Sequence, residues 1–157
     1  MKILLLQIDK TQDSYLTEGI DVYTKRLKNY CSFEITTINV PKTIRQRTQN
    51  EQKQEEAKLI MGYISQDDFL MILDEKGKEY SSVDFSAVIA QKQNASVKRL
   101  VFLIGGPFGF SEVIYKRANL KLSLSQMTFS HQMVRLFFVE QLYRAFTILK
   151  GEKYHHV

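Results

Sequence analysis

The chain has 157 residues, 44% of them hydrophobic and 25% charged, which suits one globular domain able to bury a core without disulfide or metal. Its single cysteine, Cys31, excludes an internal disulfide and fits a reducing cytoplasm, and no apolar run approaches the length of a membrane span. A formal net charge of +5 permits contact with nucleic acid without establishing it.

Met1 and Lys2 lead into a short apolar run over 2–8 that ends at Asp9, too short for a secretory leader, and it reads as a buried strand. Over 14–26, Tyr15, Ile20 and Tyr23 recur among polar residues as on an amphipathic helix. Lys25, Arg26 and Lys28 gather at its end, where the helix dipole favours cations anyway. Cys31 opens the next strand, has no histidine near it in sequence and reads as structural. Residues 33–40 alternate as a strand and stop at Pro41, which cannot continue a ladder. The loop that follows carries Lys42, Arg45 and Arg47, a second cationic cluster with less local cause, expected to meet phosphates.

Residues 49–64 read as a helix whose first half, 50–56, holds no apolar residue and is either solvated helix or loop. An apolar strand over 69–73 ends at Asp74-Glu75-Lys76-Gly77, and a helix over 82–92 follows with Val83, Val88 and Ile89 apolar. Strands alternating with helices imply an α/β fold, a mostly parallel sheet with helices on both faces, in one domain over 1–157.

The run 100–104 is continuously apolar and too short for a buried helix, so it reads as a central strand. It ends in Gly105-Gly106-Pro107-Phe108-Gly109, which concentrates three of the seven glycines in five residues. Glycine lets another group approach the backbone, and the carboxyl ends of strands are where open α/β sheets bind ligands. The spacing matches neither common phosphate-cradling motif. After a short helix over 111–117, residues 122–129 begin as a strand and become a polar segment, so the two loops are expected to lie side by side. The last helix, 131–150, is apolar on nearly every side from Met133 to Phe146, and a second subunit is the expected cover for the face containing Phe138.

Five pieces occur in order: Leu-Ile-Gly-Gly-Pro at 103–107, Leu-Ser-x-x-Thr-Phe at 124–129, His131 with Val134 and Arg135, Glu140-Gln-Leu-Tyr-Arg-Ala at 140–145, and Tyr154-His155. Together they resemble the RlmH family, small bacterial SPOUT-class methyltransferases, along essentially the whole chain. The resemblance implies a C-terminal trefoil knot, which ordinary topology rules would not propose. It implies S-adenosylmethionine as cofactor, held by Leu73, Gly105 and Gly106 and by Leu124, Ser125, Gln126, Met127, Thr128 and Phe129. It also implies a homodimer that methylates N3 of a pseudouridine in 23S ribosomal RNA, on the assembled ribosome in the cytoplasm, with no membrane and no metal. On the substrate side it points to Arg135, Tyr154 and His155. No residue announces itself as the base; His131 and Arg144 are the catalytic candidates.

Plainer roles exist for several of these residues. Arg144 follows Glu140 by four positions, as in an ordinary helical ion pair. His131 is acceptable as a first-turn residue behind Ser130. The tail over 151–157 is short and polar, as a frayed terminus would be. Two positions depart from the family's usual pattern: Ser130 stands where proline is usual, and His156 where a basic arginine or lysine is usual. The competing readings are a related methyltransferase acting elsewhere on RNA, for example at a ribose hydroxyl, and a non-catalytic RNA-binding dimer.

Overall fold

The strands form one parallel sheet in the order β2-β1-β4-β3-β5 in the computed structural model, which describes residues 1–156. Val157, the last residue of the 151–157 tail, lies outside the described residues. Along the chain the elements are β1 (Lys2–Ile8), α1 (Ser14–Leu27), β2 (Ser32–Ile38), α2 (Lys42–Arg45), α3 (Gln49–Met61), β3 (Phe69–Glu79), α4 (Ser82–Asn94), β4 (Arg99–Ile104), α5 (Glu112–Arg117), β5 (Leu120–Ser123) and α6 (Met133–Leu149). No helix among the described residues is long and apolar enough to cross a membrane.

Strand alternation divides the core into two layers. Ile3, Leu5 and Phe102 point to the face covered by α1, α4 and α6, whereas Leu4, Leu6, Val101 and Leu103 point to the face covered by α3 and α5. Nearly all these strand side chains are sealed from water, each contributing about 1.5–3 kcal/mol by burial. This explains why β1 and β4, central and covered on both faces, read as uninterrupted apolar runs.

Two elements differ from what the sequence leads one to expect, and a third resolves an open alternative. The segment after Pro41 contains a helical turn, α2, rather than only loop, and Ile44 anchors it on the α3 side of the core. The first half of α3, open between solvated helix and loop from sequence, is helix, because Thr48 and Glu51 form a reciprocal capping box. β3 does not stop at Leu73. It slips register between Leu73 and Lys78, and Lys78 and Glu79 pair again with Leu122 and Ser123 of β5. Gly77 permits that turn: a Cβ there would lie 2.7 Å from the backbone of Lys121 and Leu122.

Ser130 Oγ accepts from the N of Met133 (3.0 Å), the first residue of α6, so the serine that stands in proline's place ties down the start of the helix. The helix then runs between α1 and α4. Phe138 is fully buried, its ring 4.6 Å from that of Phe102, so it belongs to this chain's own core and not to a subunit interface. The open side of the helix is carried by Phe137 instead, 41% exposed and stacked 4.9 Å from Phe129.

Candidate functional site

At the carboxyl ends of β3 and β4 a cleft of about 690 Å3 opens between the glycine loop, the β3 extension and the segment after β5. Leu73, Gly105, Gly106, Leu124, Ser125, Met127, Thr128 and Phe129 all line it, together with Asp74, Tyr115, His131 and Val134. Of the residues expected to hold a cofactor, only Gln126 turns away, its amide reaching Glu79 at 3.4 Å. The two loops do lie side by side, as their spacing leads one to expect.

Hydrogen bonds fix the post-β5 segment. Ser125 Oγ accepts from Met127 N (2.9 Å), Ser123 Oγ donates to Ser125 O (2.9 Å), and Thr128 Oγ1 donates to Glu75 Oε2 (2.7 Å). A Cβ on Gly105 would come within 2.9 Å of the Phe110 ring, so this glycine makes room for an aromatic wall. A Cβ on Gly106 would meet only the Glu56 carboxylate and Ile8, at 3.4 Å and beyond. Burial raises the Glu56 pKa above the usual carboxylate range, with Arg45 opposing. Tyr115 donates to Asp74 Oδ2 (2.5 Å); burial and that carboxylate push its pKa up to about 12, so the wall stays a neutral donor.

His131 sits at the rim of the cleft, half-buried, and its pKa is held below 6.5 by burial, then by the positive charges of Arg135 and Arg45. It is therefore neutral near pH 7. Arg135 does not line the cleft. It is fully buried, and its guanidinium donates to Ile8 O (2.5 Å), Asp9 O (2.9 Å) and Thr11 Oγ1 (3.0 Å). Burial lowers its pKa to about 10, which leaves it charged. It ties α6 to the end of β1, where Asp9 adopts φ 57° and accepts from Val40 N (3.0 Å). Arg45 pairs with Asp9, and Arg47 lies 3.6 Å from Glu55, so two cations of the expected phosphate cluster are engaged internally.

A second polar cluster lies farther along α6, away from the cleft. Glu140 Oε1 accepts from Arg144 Nη2 (2.5 Å), Arg144 Nε (3.1 Å) and Tyr154 Oη (2.9 Å). Tyr154 also meets Tyr23 Oη (3.2 Å) and packs edge-on to Tyr143 (4.8 Å), while Arg144 Nη1 is 3.3 Å from His155 Nδ1. The ordinary Glu140–Arg144 pair thus exists and is built into a larger network. Burial and the Tyr23 and Glu140 hydrogen bonds raise the Tyr154 pKa, so its hydroxyl is a donor at any ordinary pH. The described part of the tail is docked rather than frayed; Glu152 adds a bond from Tyr30 Oη (2.6 Å), and His156 is exposed.

Sequence reasoning passed over Asp9, Tyr23, Asp74 and Tyr115. Their partners are 31 to 131 residues away in the chain, so no local spacing announces them. Glu140 was visible as the first residue of its motif and as the partner of Arg144. Cys31 is half-buried with its thiol pKa pushed up to about 11 by burial, which makes it inert. No cluster of three or more potential metal ligands occurs among the described residues.

Comparison with known proteins covers the same ground. A family model described as "Predicted SPOUT methyltransferase" matches residues 1–155. Proteins named Ribosomal RNA large subunit methyltransferase H from Cytophaga hutchinsonii and Flavobacterium johnsoniae are each 54% identical over 156 residues. The match spans 99% of this chain in both cases, and 100% and 99% of the relatives. The solved structure of a probable methylase family protein from Haemophilus influenzae superposes with a TM-score of 0.51 at 11% identity, covering 99% of this chain and 70% of that one, a likeness of fold alone. Identity of this order along the full length, reaching from β1 through both loops of the cleft to the docked tail, makes the chain a member of the RlmH family of SPOUT methyltransferases.

Proposed function

We propose that this protein transfers a methyl group from S-adenosylmethionine to N3 of a pseudouridine in the large-subunit ribosomal RNA, acting on the assembled ribosome in the cytoplasm. The observation that carries the reading is the cleft, in which the cofactor positions implied by the family motifs converge, Gln126 excepted. The fit is chemical as well as spatial. Main-chain groups of 124–129 can satisfy adenine edges, and Gly106, which bears no side chain, leaves space at the cleft. Bound there, S-adenosylmethionine supplies a sulfonium-borne methyl group whose departure leaves a neutral thioether.

The chain's own task is to align the acceptor nitrogen and relieve it of its imide proton. His131 stands at the cleft in the neutral form able to accept one. Arg144, Tyr154 and His155 do not line this cleft, so a single chain does not bring all the candidate residues together. We assign that task to a homodimer. The exposed strip of Phe129 and Phe137 begins at the rim of the cleft and is followed along α6 by Glu140 and Arg144. Antiparallel packing of two α6 helices about a two-fold axis brings the Arg144 end of one chain to the His131 end of the other. The C-terminal trefoil knot implied by the family is part of this reading; the β3 extension pairs in parallel with β5, from which the chain runs on into α6.

Calorimetry with S-adenosylmethionine and methylation of ribosomes lacking the modification test this reading. Micromolar-range binding and one methyl group on a pseudouridine, located by mass spectrometry of the ribosomal RNA, are expected. Binding without transfer refutes the catalytic reading. Transfer to a ribose hydroxyl refutes the nitrogen assignment.

A further inference from the structure

On the face of the sheet opposite α6, a second groove of about 650 Å3 runs between α3 and α5. It shares Phe110 and Tyr115 with the first cleft as a common wall. These two rings stand edge to face, 5.9 Å apart at 90°, and the Tyr115–Asp74 hydrogen bond fixes the partition. Two clefts divided by one rigid aromatic wall are placed to hold neighbouring parts of one extended ligand.

The lining limits what that ligand is. Ala57 and Met61 on one side and Val113 on the other are apolar, and Met61 and Val113 remain 36% and 56% exposed, which leaves flat unsatisfied surface in the groove. Among them Ser111 is only 8% exposed, and its Oγ has no hydrogen-bond partner. A buried hydroxyl without a partner destabilises the fold, so the lining holds one polar atom whose hydrogen-bonding capacity is unspent. On the α3 lip, Lys53 has no carboxylate within ion-pair distance among the described residues, whereas Lys58 is already held by Glu55. The opposite lip carries the exposed acid Glu112, so an anionic group is favoured at the α3 lip only. Apolar walls, a buried polar atom and one cation at the rim match a base with its attached phosphate.

We propose that the α3–α5 groove binds an unstacked nucleotide of the RNA substrate, next to the one presented to the cofactor cleft. This rests on the reading of the chain as an RNA methyltransferase and extends its substrate contact to a second pocket. The groove faces away from α6, so a second subunit seated on that helix leaves it open.

Two variants test the proposal without touching the cofactor cleft. Val113→Trp fills the groove from an exposed position, and Lys53→Glu reverses the charge on its lip. Each is expected to raise KM for ribosomes about tenfold, as loss of one stacked base or one phosphate contact does. The rate at saturating ribosome and the affinity for S-adenosylmethionine should stay at wild-type values, and Lys53→Glu should also flatten the salt dependence of KM. An unchanged KM in both variants overturns the proposal, and so does a fall in cofactor affinity, which would mean that the groove acts only through the Tyr115 wall.

A direct measurement separates failure of the groove from failure of the enzymatic reading. With methyl-labelled protein, a single-stranded uridylate tetramer should shift the Met61 and Val113 signals, inorganic phosphate should not, and Val113→Trp should abolish the Met61 shift. That result supports the groove even if no methyl transfer is found. Signals unmoved at millimolar tetramer overturn it even if the enzyme is active.

Discussion

The cleft and the tail cluster occupy opposite ends of α6 and are built from different materials. The cleft is lined by a glycine loop, short hydroxyl residues, apolar and aromatic side chains and one neutral histidine. The tail cluster is made of side chains: one carboxylate, one guanidinium, two tyrosines and a histidine in mutual contact. Backbone presents fixed dipoles that cost little to reorganise, which suits holding a cofactor in one pose. A side-chain network presents charge and donors that a substrate can engage, but each member depends on the others. The difference teaches that cofactor binding should be sensitive to shape, and the tail cluster, proposed to handle the acceptor, to single polar atoms.

The largest effect should come from shape. Gly106→Val places a branched side chain at the floor of the cleft, where the nearest protein atoms leave room for a Cβ at ordinary contact distance. The protein should fold, and S-adenosylmethionine binding should fall below detection by calorimetry. Wild-type affinity in that variant means the cofactor lies elsewhere. Next in size is the link between the two regions. Phe137→Asp puts a charge on the open strip of α6 without disturbing the core that holds Phe138, and it should convert a dimer to a folded monomer without methylation activity. Sedimentation showing an intact dimer would remove the strip from the interface.

How much of this was legible in the sequence follows from the same contrast. The sheet was readable because β1 and β4 are covered on both faces and so are apolar without interruption. The cleft was readable because a backbone that must be approached closely is written in glycine. α2 and the return of β3 were not readable. The first is a single turn held by Ile44, and the second depends on a register slip and on β5, more than forty residues on. The surroundings of Arg135 were not readable either: a motif arginine on the last helix looks like a substrate ligand, and only the fold shows the carbonyls of Ile8 and Asp9 around its guanidinium.

Arg135 and Tyr154 set the next two expectations. Arg135→Met keeps the volume but strands those carbonyls and should lower unfolding free energy by about 3 kcal/mol, measured by urea denaturation. Equal stability would make the buried guanidinium dispensable. Tyr154→Phe removes one hydroxyl from between Glu140 and Tyr23 while leaving the ring against Tyr143. It should cost about 1 kcal/mol of stability and leave cofactor affinity alone. A methylation rate equal to wild type would confine the tail to a structural role.

The smallest effect is the displacement along the pH axis expected when Arg45 is replaced. His131 has a pKa below 6.5 because burial and two nearby arginines disfavour its charged form. It is therefore neutral throughout the neutral range, and a rate that needs it as proton acceptor should be flat near pH 7 and fall only on an acidic limb centred below 6.5. The stability linkage has the same direction: the unfolded chain takes up the proton first, so stability present above pH 6.5 declines as the pH falls toward the folded value. Arg45→Gln removes one of the two cations and should move the limb toward neutrality, whereas His131→Gln should abolish it along with most of the rate. A pH–rate profile read beside the His131 imidazole titration by NMR decides the matter. If the ring titrates below 6.5 but the limb does not follow it when Arg45 is replaced, His131 only shapes the rim, and the proton leaves by way of the partner's end of the site.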